Sequence, residues 1–97
     1  MNEFGTKSVG EEKIKTIFYF TAEWCNPCKQ TRPIAEELNR DQIAAFQFID
    51  ADQEIELVKK FQIKSIPTFI LIEEGKEINR ISGAQTKEQL ESFINGK

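Results

Sequence analysis

Cys25 and Cys28 are the only cysteines of the chain, which contains no histidine, and they lie in the segment Trp24-Cys25-Asn26-Pro27-Cys28. A thiol is a nucleophile only as thiolate, and a free Cys with a pKa of about 8.5 is mostly protonated at neutral pH. A helix N-terminus lowers that value, because its unpaired N–H groups and its dipole favour negative charge. Pro27 suits the start of such a helix, where a missing N–H costs nothing. Two intervening residues on a helical start bring Cys28 close enough to attack a mixed disulfide on Cys25. The chemistry implied is a two-step exchange. Cys25 attacks a target disulfide, then Cys28 releases the reduced target and leaves an intramolecular disulfide.

Other uses of two thiols are narrower. A tetrahedral zinc site needs four ligands, usually Cys or His. One chain supplies two thiols and no imidazole, which excludes an intrachain site of the ordinary kind. Two chains could pool four thiolates around zinc or an iron–sulfur cluster. The bland alternative is that both cysteines are small buried hydrophobes. The flanking pattern, with a strand before, a helix after, Trp before the first Cys and Pro before the second, favours redox chemistry over that alternative.

The elements that must position the pair follow from apolar spacing. Ile14 to Phe20 is β-branched and aromatic, which suits a strand covered on both faces. Ile34, Ala35 and Leu38 recur at helical spacing between Cys28 and Arg40, with Pro33 inside, where a kink is expected. Ala45 to Ile49 alternates as a second strand, ended by Asp50-Ala51-Asp52. Glu54 to Phe61 reads as a short amphipathic helix with Ile55, Leu57, Val58 and Phe61 on its apolar side. Pro67 opens a third strand over Thr68–Ile72, and Glu74-Gly75 turns the chain into a fourth over Glu77–Ile81, broken by Gly83. Thr86 is a candidate N-cap with Gln89 in the capping-box position. Leu90, Phe93 and Ile94 form the buried stripe of that helix, which Asn95-Gly96 ends. The order is β-α-β-α-β-β-α. It predicts a parallel first strand pair joined through a helix and an antiparallel final hairpin.

With 97 residues, 39% of them hydrophobic and eight of them Phe, the chain can bury one core. The net charge of -3 with mixed signs argues against a basic nucleic-acid-binding face. No apolar run approaches the roughly 18 residues needed to span a membrane. The polar stretch from Met1 to Lys13 lacks the apolar core of a secretory signal, so a cytoplasmic location is expected. Residues 1–13 are expected to be a weakly structured lead-in and residues 14–97 the folded domain.

From about Lys15 to Ile94 the chain resembles the thioredoxin family. Ala22-Glu23-Trp24-Cys25-Asn26-Pro27-Cys28-Lys29 is similar to its active-site signature, and Pro33 to its helix-kinking proline. Ile66-Pro67-Thr68 is similar to its cis-proline loop, and Gly83-Ala84 to the segment flanking its substrate groove. The resemblance implies an α/β thioredoxin-like fold, with a mixed sheet of about four strands flanked by helices and the first strand of the full family fold short or absent. Glu3 and Phe4 could still pair at the sheet edge. It further implies that Cys25 is the exposed attacking thiol, that Cys28 is the shielded resolving thiol, and that Pro67 is cis. The residues alone leave cis and trans open at Pro67. Trp24, Ile66, Pro67, Gly83 and Ala84 would form an apolar docking surface along which an extended substrate segment pairs with the Ile66 backbone. A core role is the alternative for Trp24. Lys29 and Arg32, beside the thiols, would help hold Cys25 as thiolate.

The activity implied is that of a monomeric protein disulfide oxidoreductase with no bound cofactor. Protein disulfides would be its substrates and a flavin-dependent thioredoxin reductase its electron donor. A glutaredoxin-like partner of glutathione and a redox-inert binding module are the competing readings. Asn26 stands where the family has Gly, a position that tunes the pair. Tyr19 stands where the family has a buried Asp, and Phe48 where it has that Asp's Lys partner. Tyr, with a pKa near 10, cannot act as a base at neutral pH, so a slower or water-dependent release step is expected.

Overall fold

The computed structural model describes residues 15–96. The lead-in assigned to residues 1–13 and the edge pairing suggested for Glu3 and Phe4 lie outside these. The observed order is β1 (Thr16–Thr21), α1 (Asn26–Arg40), β2 (Ala45–Asp50), α2 (Ile55–Lys60), β3 (Thr68–Glu73), β4 (Lys76–Ser82) and α3 (Lys87–Asn95). The β-α-β-α-β-β-α order is therefore the one the apolar spacing predicts.

Strands lie in the order β2-β1-β3-β4. β1 pairs parallel with β2, from Thr16 opposite Ala45 to Thr21 opposite Asp50. It pairs antiparallel with β3, from Thr16 opposite Ile72 to Phe20 opposite Thr68. β3 and β4 form the hairpin, closed by Glu74 and Gly75, both with positive φ (53° and 78°). With a neighbour on each edge and both faces covered, β1 can be apolar almost throughout.

Alternation along β1 divides the core. Ile17 and Tyr19 join Ala35 and Leu38 of α1 and Leu90, Phe93 and Ile94 of α3 on one face. Phe20 packs on the other face with Ile49, Ile70 and Ile72, under Leu57 and Val58 of α2 and the Phe61 that follows it. Ile55 was expected in that apolar stripe but is 48% exposed. α2 is only six residues long, and its sheet-facing contacts come from Leu57 and Val58, with Phe61 at its C-cap. α3 has the expected capping box between Thr86 and Gln89 and ends at Gly96 in the left-handed region. Lys87 Nζ lies 2.7 Å from Glu37 Oε2 and ties α3 to α1.

This topology assembles the site at one end of the sheet. The C-terminal ends of the parallel strands β1 and β2 and the start of the antiparallel β3 meet there. Three loops converge as a result: Ala22–Cys25 after β1, Ala51–Glu54 after β2 and Gln62–Pro67 before β3. Among the described residues no helix is long and apolar enough to cross a membrane.

Candidate active site

Cys25 is the N-cap of α1, with extended backbone (φ -85°, ψ 111°). Its Sγ accepts a 3.2 Å hydrogen bond from the Cys28 N–H, one of the donors that a helix start leaves without an intrahelical partner. α1 begins at Asn26, so Asn26 and Pro27 lie in its first turn, as the sequence predicts for Pro27. Cys25 and Cys28 are joined as a disulfide, with Cα atoms 5.2 Å apart.

The two thiols differ in what they face, not in exposure. The expectation of an exposed Cys25 is corrected: it is 3% exposed and Cys28 is 1% exposed. Ala22 and the Ile66 side chain pack against both sulfurs' residues, and the Ile66 carbonyl oxygen lies 3.9 Å from Cys25 Sγ. Cys25 lines a cavity of about 410 Å3 with Trp24, Asn26, Pro27, Lys64 and Ile66. Cys28 instead lines a separate crevice of about 290 Å3 with Thr21, Ala22, Glu23, Lys29 and Arg32. Lys29 and Arg32 therefore border the crevice at Cys28 and do not line the cavity at Cys25.

Trp24 is 65% exposed, which rejects the core alternative. Its ring is held by a 2.7 Å hydrogen bond from Nε1 to Asp52 Oδ2. Asp52 escaped the sequence reading. The loop after β2 brings it to the site from 28 residues away, and no local spacing signals such a contact.

The Ile66–Pro67 peptide bond is cis. Among the described residues, the Ile66 N–H and C=O make no backbone hydrogen bond. The Pro67 carbonyl accepts a 2.8 Å bond from the Gly83 N–H, which fastens the loop after β4 to the cis-proline loop. Gly83 has φ +91°, a conformation that side chains rarely adopt. Gly83 thus sits against Pro67 with the exposed Ala84 next in the chain, while neither lines the cavity at Cys25.

Tyr19 is fully buried beneath the pair. Its Oη donates a 3.0 Å hydrogen bond to the Cys28 carbonyl. Its ring stacks on Phe69 at 4.5 Å and meets Phe48 edge-on at 5.5 Å. Burial pushes the phenol above its ordinary value of 10.0, against the Thr21 hydroxyl and Arg32, which pull it down. Tyr19 is thus a neutral donor, as expected of a residue that cannot serve as a base. The Arg32 guanidinium lies 5.3 Å from the Phe48 ring centroid, so an aromatic pair capped by a cation fills the space beside the cysteines. Among the described residues no group of three or more His, Cys, Asp or Glu converges on a metal position.

A disulfide capping a helix, beside a cis-proline loop and under an exposed Trp, is built for thiol–disulfide exchange. Thioredoxin H2-1 of Oryza sativa subsp. japonica is 39% identical over 80 residues, covering 81% of this chain and 57% of that protein. The chain thus spans under three fifths of the length of that relative. The bifunctional thioredoxin reductase/thioredoxin of Mycobacterium leprae is 40% identical over 74 residues, covering 73% of this chain and 16% of that protein. Other relatives are a mitochondrial thioredoxin of Schizosaccharomyces pombe and a chloroplastic one of Arabidopsis thaliana, so kinship does not fix a compartment. The thioredoxin of Fasciola hepatica superposes with a TM-score of 0.79 at 33% identity, covering 86% of this chain and 80% of that one. The family model described as Thioredoxin matches residues 2–96. With fold, site geometry and sequence in agreement, the chain belongs to the thioredoxin family.

Proposed function

We propose that the chain is a protein disulfide oxidoreductase that reduces protein disulfides by dithiol–disulfide exchange, with Cys25 attacking and Cys28 resolving. The observation that carries this reading is the hydrogen bond from the Cys28 N–H to Cys25 Sγ at the N-cap of α1. The same N–H and the helix dipole would stabilise a thiolate on Cys25. That thiolate attacks one sulfur of the target disulfide. The target's S–S bond breaks, its electron pair leaves on the departing thiolate, and a mixed disulfide forms on Cys25. Cys28 as thiolate then attacks Cys25 Sγ, the mixed disulfide breaks, and the target leaves with the second electron pair.

Trp24, Ile66, Pro67, Gly83 and Ala84 support a docking surface on which an extended segment pairs with the Ile66 backbone. Asn26, Pro27 and Lys29 are assigned to tuning the pair, as is Tyr19 beneath it. The electron donor is a flavin-dependent thioredoxin reductase, a reading supported by the Mycobacterium leprae relative whose name joins the two activities. The protein carries electrons as a monomer in a reducing, cytoplasmic setting, where a reductant of this kind can be recharged.

Reduction of insulin by dithiothreitol, with wild type and Cys25→Ser as catalysts, tests this reading. Acceleration by wild type alone is expected. Equal rates would sink the oxidoreductase assignment. Recharging by a thioredoxin reductase and not by glutathione is the second expected outcome.

A further inference from the structure

The resolving step has a requirement that the cavity at Cys25 does not meet. Cys28 must lose its thiol proton before it can attack, yet it is 1% exposed and does not line that cavity. Beneath it, the Tyr19 hydroxyl is engaged as a donor to the Cys28 carbonyl. A separate crevice of about 290 Å3 does reach Cys28. It has room for several waters at about 30 Å3 each. Among the described residues that line it, Glu23 is the one carboxylate, and Lys29 and Arg32 are the cations.

Resting on the exchange reading above, we propose that the Cys28 proton leaves through this crevice, passing by water to Glu23 while Lys29 and Arg32 favour the thiolate left behind. Substrate then approaches Cys25 through one cavity and the proton departs from Cys28 through the other. The step balances. The proton moves from Cys28 Sγ through water to the Glu23 carboxylate, and the new thiolate attacks Cys25 Sγ. The electron pair leaves on the target sulfur, which takes a proton from solvent, and Glu23 returns its own to solvent.

The titratable groups facing Cys28 come from three segments. β1 supplies the neutral Tyr19, the following turn supplies Glu23, and α1 supplies Lys29 and Arg32. Arg32 is shared with Glu36, its Nε lying 3.1 Å from Glu36 Oε2. β2 and β3 present Phe48 and Phe69 to Tyr19, and the Ile66 side chain packs on the pair. None of those three residues titrates.

The two steps separate in a single-turnover experiment. Reduced protein is mixed with a disulfide-linked peptide, acid-quenched at intervals, and the mixed disulfide followed by mass between pH 5 and 9. Glu23→Gln should form the mixed disulfide at the wild-type rate but resolve it about tenfold more slowly at pH 7, with added acetate restoring part of the loss. Arg32→Gln should move the midpoint of the resolving step upward by about half a pH unit. Resolution by Glu23→Gln at the wild-type rate across the range would overturn the proposal, and so would equal slowing of both steps. Failure of wild type to form any mixed disulfide would instead remove the exchange reading on which the proposal rests.

Discussion

The Tyr19 hydroxyl donates to the carbonyl of Cys28 across 3.0 Å, joining the middle of β1 to the first turn of α1. The bond is buried, and it makes the helix that carries both cysteines answer to the strand beneath it. Tyr19→Phe keeps the stack on Phe69 and leaves that carbonyl without its side-chain donor. The lost hydrogen bond costs about 0.5–1.5 kcal/mol, at roughly a 4–8 °C fall in Tm per kcal/mol for a domain of this size. Thermal unfolding of the oxidised protein measures it, and an unchanged Tm would make the bond irrelevant to stability.

Tyr19→Asp is the sharper substitution. It would place a carboxylate among Tyr19's neighbours Phe48 and Phe69, where burial raises its pKa. We expect a less stable protein whose turnover has a pH profile different from that of wild type. Identical pH profiles for the two proteins would remove Tyr19 from the mechanism.

The hairpin between β3 and β4 turns through Glu74 and Gly75, both in the left-handed region. Such two-residue turns favour Asn-Gly, because Asn accepts positive φ more readily than Glu. Glu74→Asn should therefore stabilise the protein by about 0.5–1 kcal/mol, read as a higher denaturant midpoint at an unchanged slope. A lower midpoint would contradict the turn assignment.

Glu37 and Lys87 form an exposed pair between α1 and α3. The hydrogen bond from Lys87, and then its charge, hold Glu37 below its ordinary value of 4.5. The same bond and the Glu37 charge raise Lys87 above 10.5. A carboxyl lowered on folding stabilises above its ordinary pKa and loses that contribution as pH falls through the lowered value. A raised lysine contributes below its ordinary pKa and loses it as pH rises through the raised one. Coupling in a Glu37→Gln, Lys87→Met double-mutant cycle should thus be present at pH 7, absent at pH 2 and weakened by 1 M salt, where the Debye length is about 3 Å. Coupling that persists at pH 2 would show packing, not charge, as its origin.

The elements and the Cys pair were legible because their signals are local. Thr86 and Gln89 cap α3 from three residues apart, and Glu74-Gly75 turns the hairpin within two. Buried faces also followed from spacing, except at Ile55, where the first turn of a six-residue helix points its side chain away from the sheet. What escaped depends on where the sheet brings distant loops. Asp52 reaches Trp24, Lys64 enters the cavity at Cys25, and Thr21 shapes the crevice at Cys28. The expected exposure of Cys25 failed for the same reason, since Ile66 comes to it from 41 residues away.

The direct test of the account is to trap the mixed disulfide. With Cys28→Ser the resolving thiol is gone, so a disulfide-linked peptide should remain covalently attached, through Cys25 alone, until a reductant is added. Mass spectrometry of the digested adduct should place the peptide on Cys25, and wild type should carry only a transient adduct. If Cys28→Ser accumulates no adduct, or if Cys25→Ser reduces the peptide as fast as wild type, Cys25 is not the attacking thiol and the account fails.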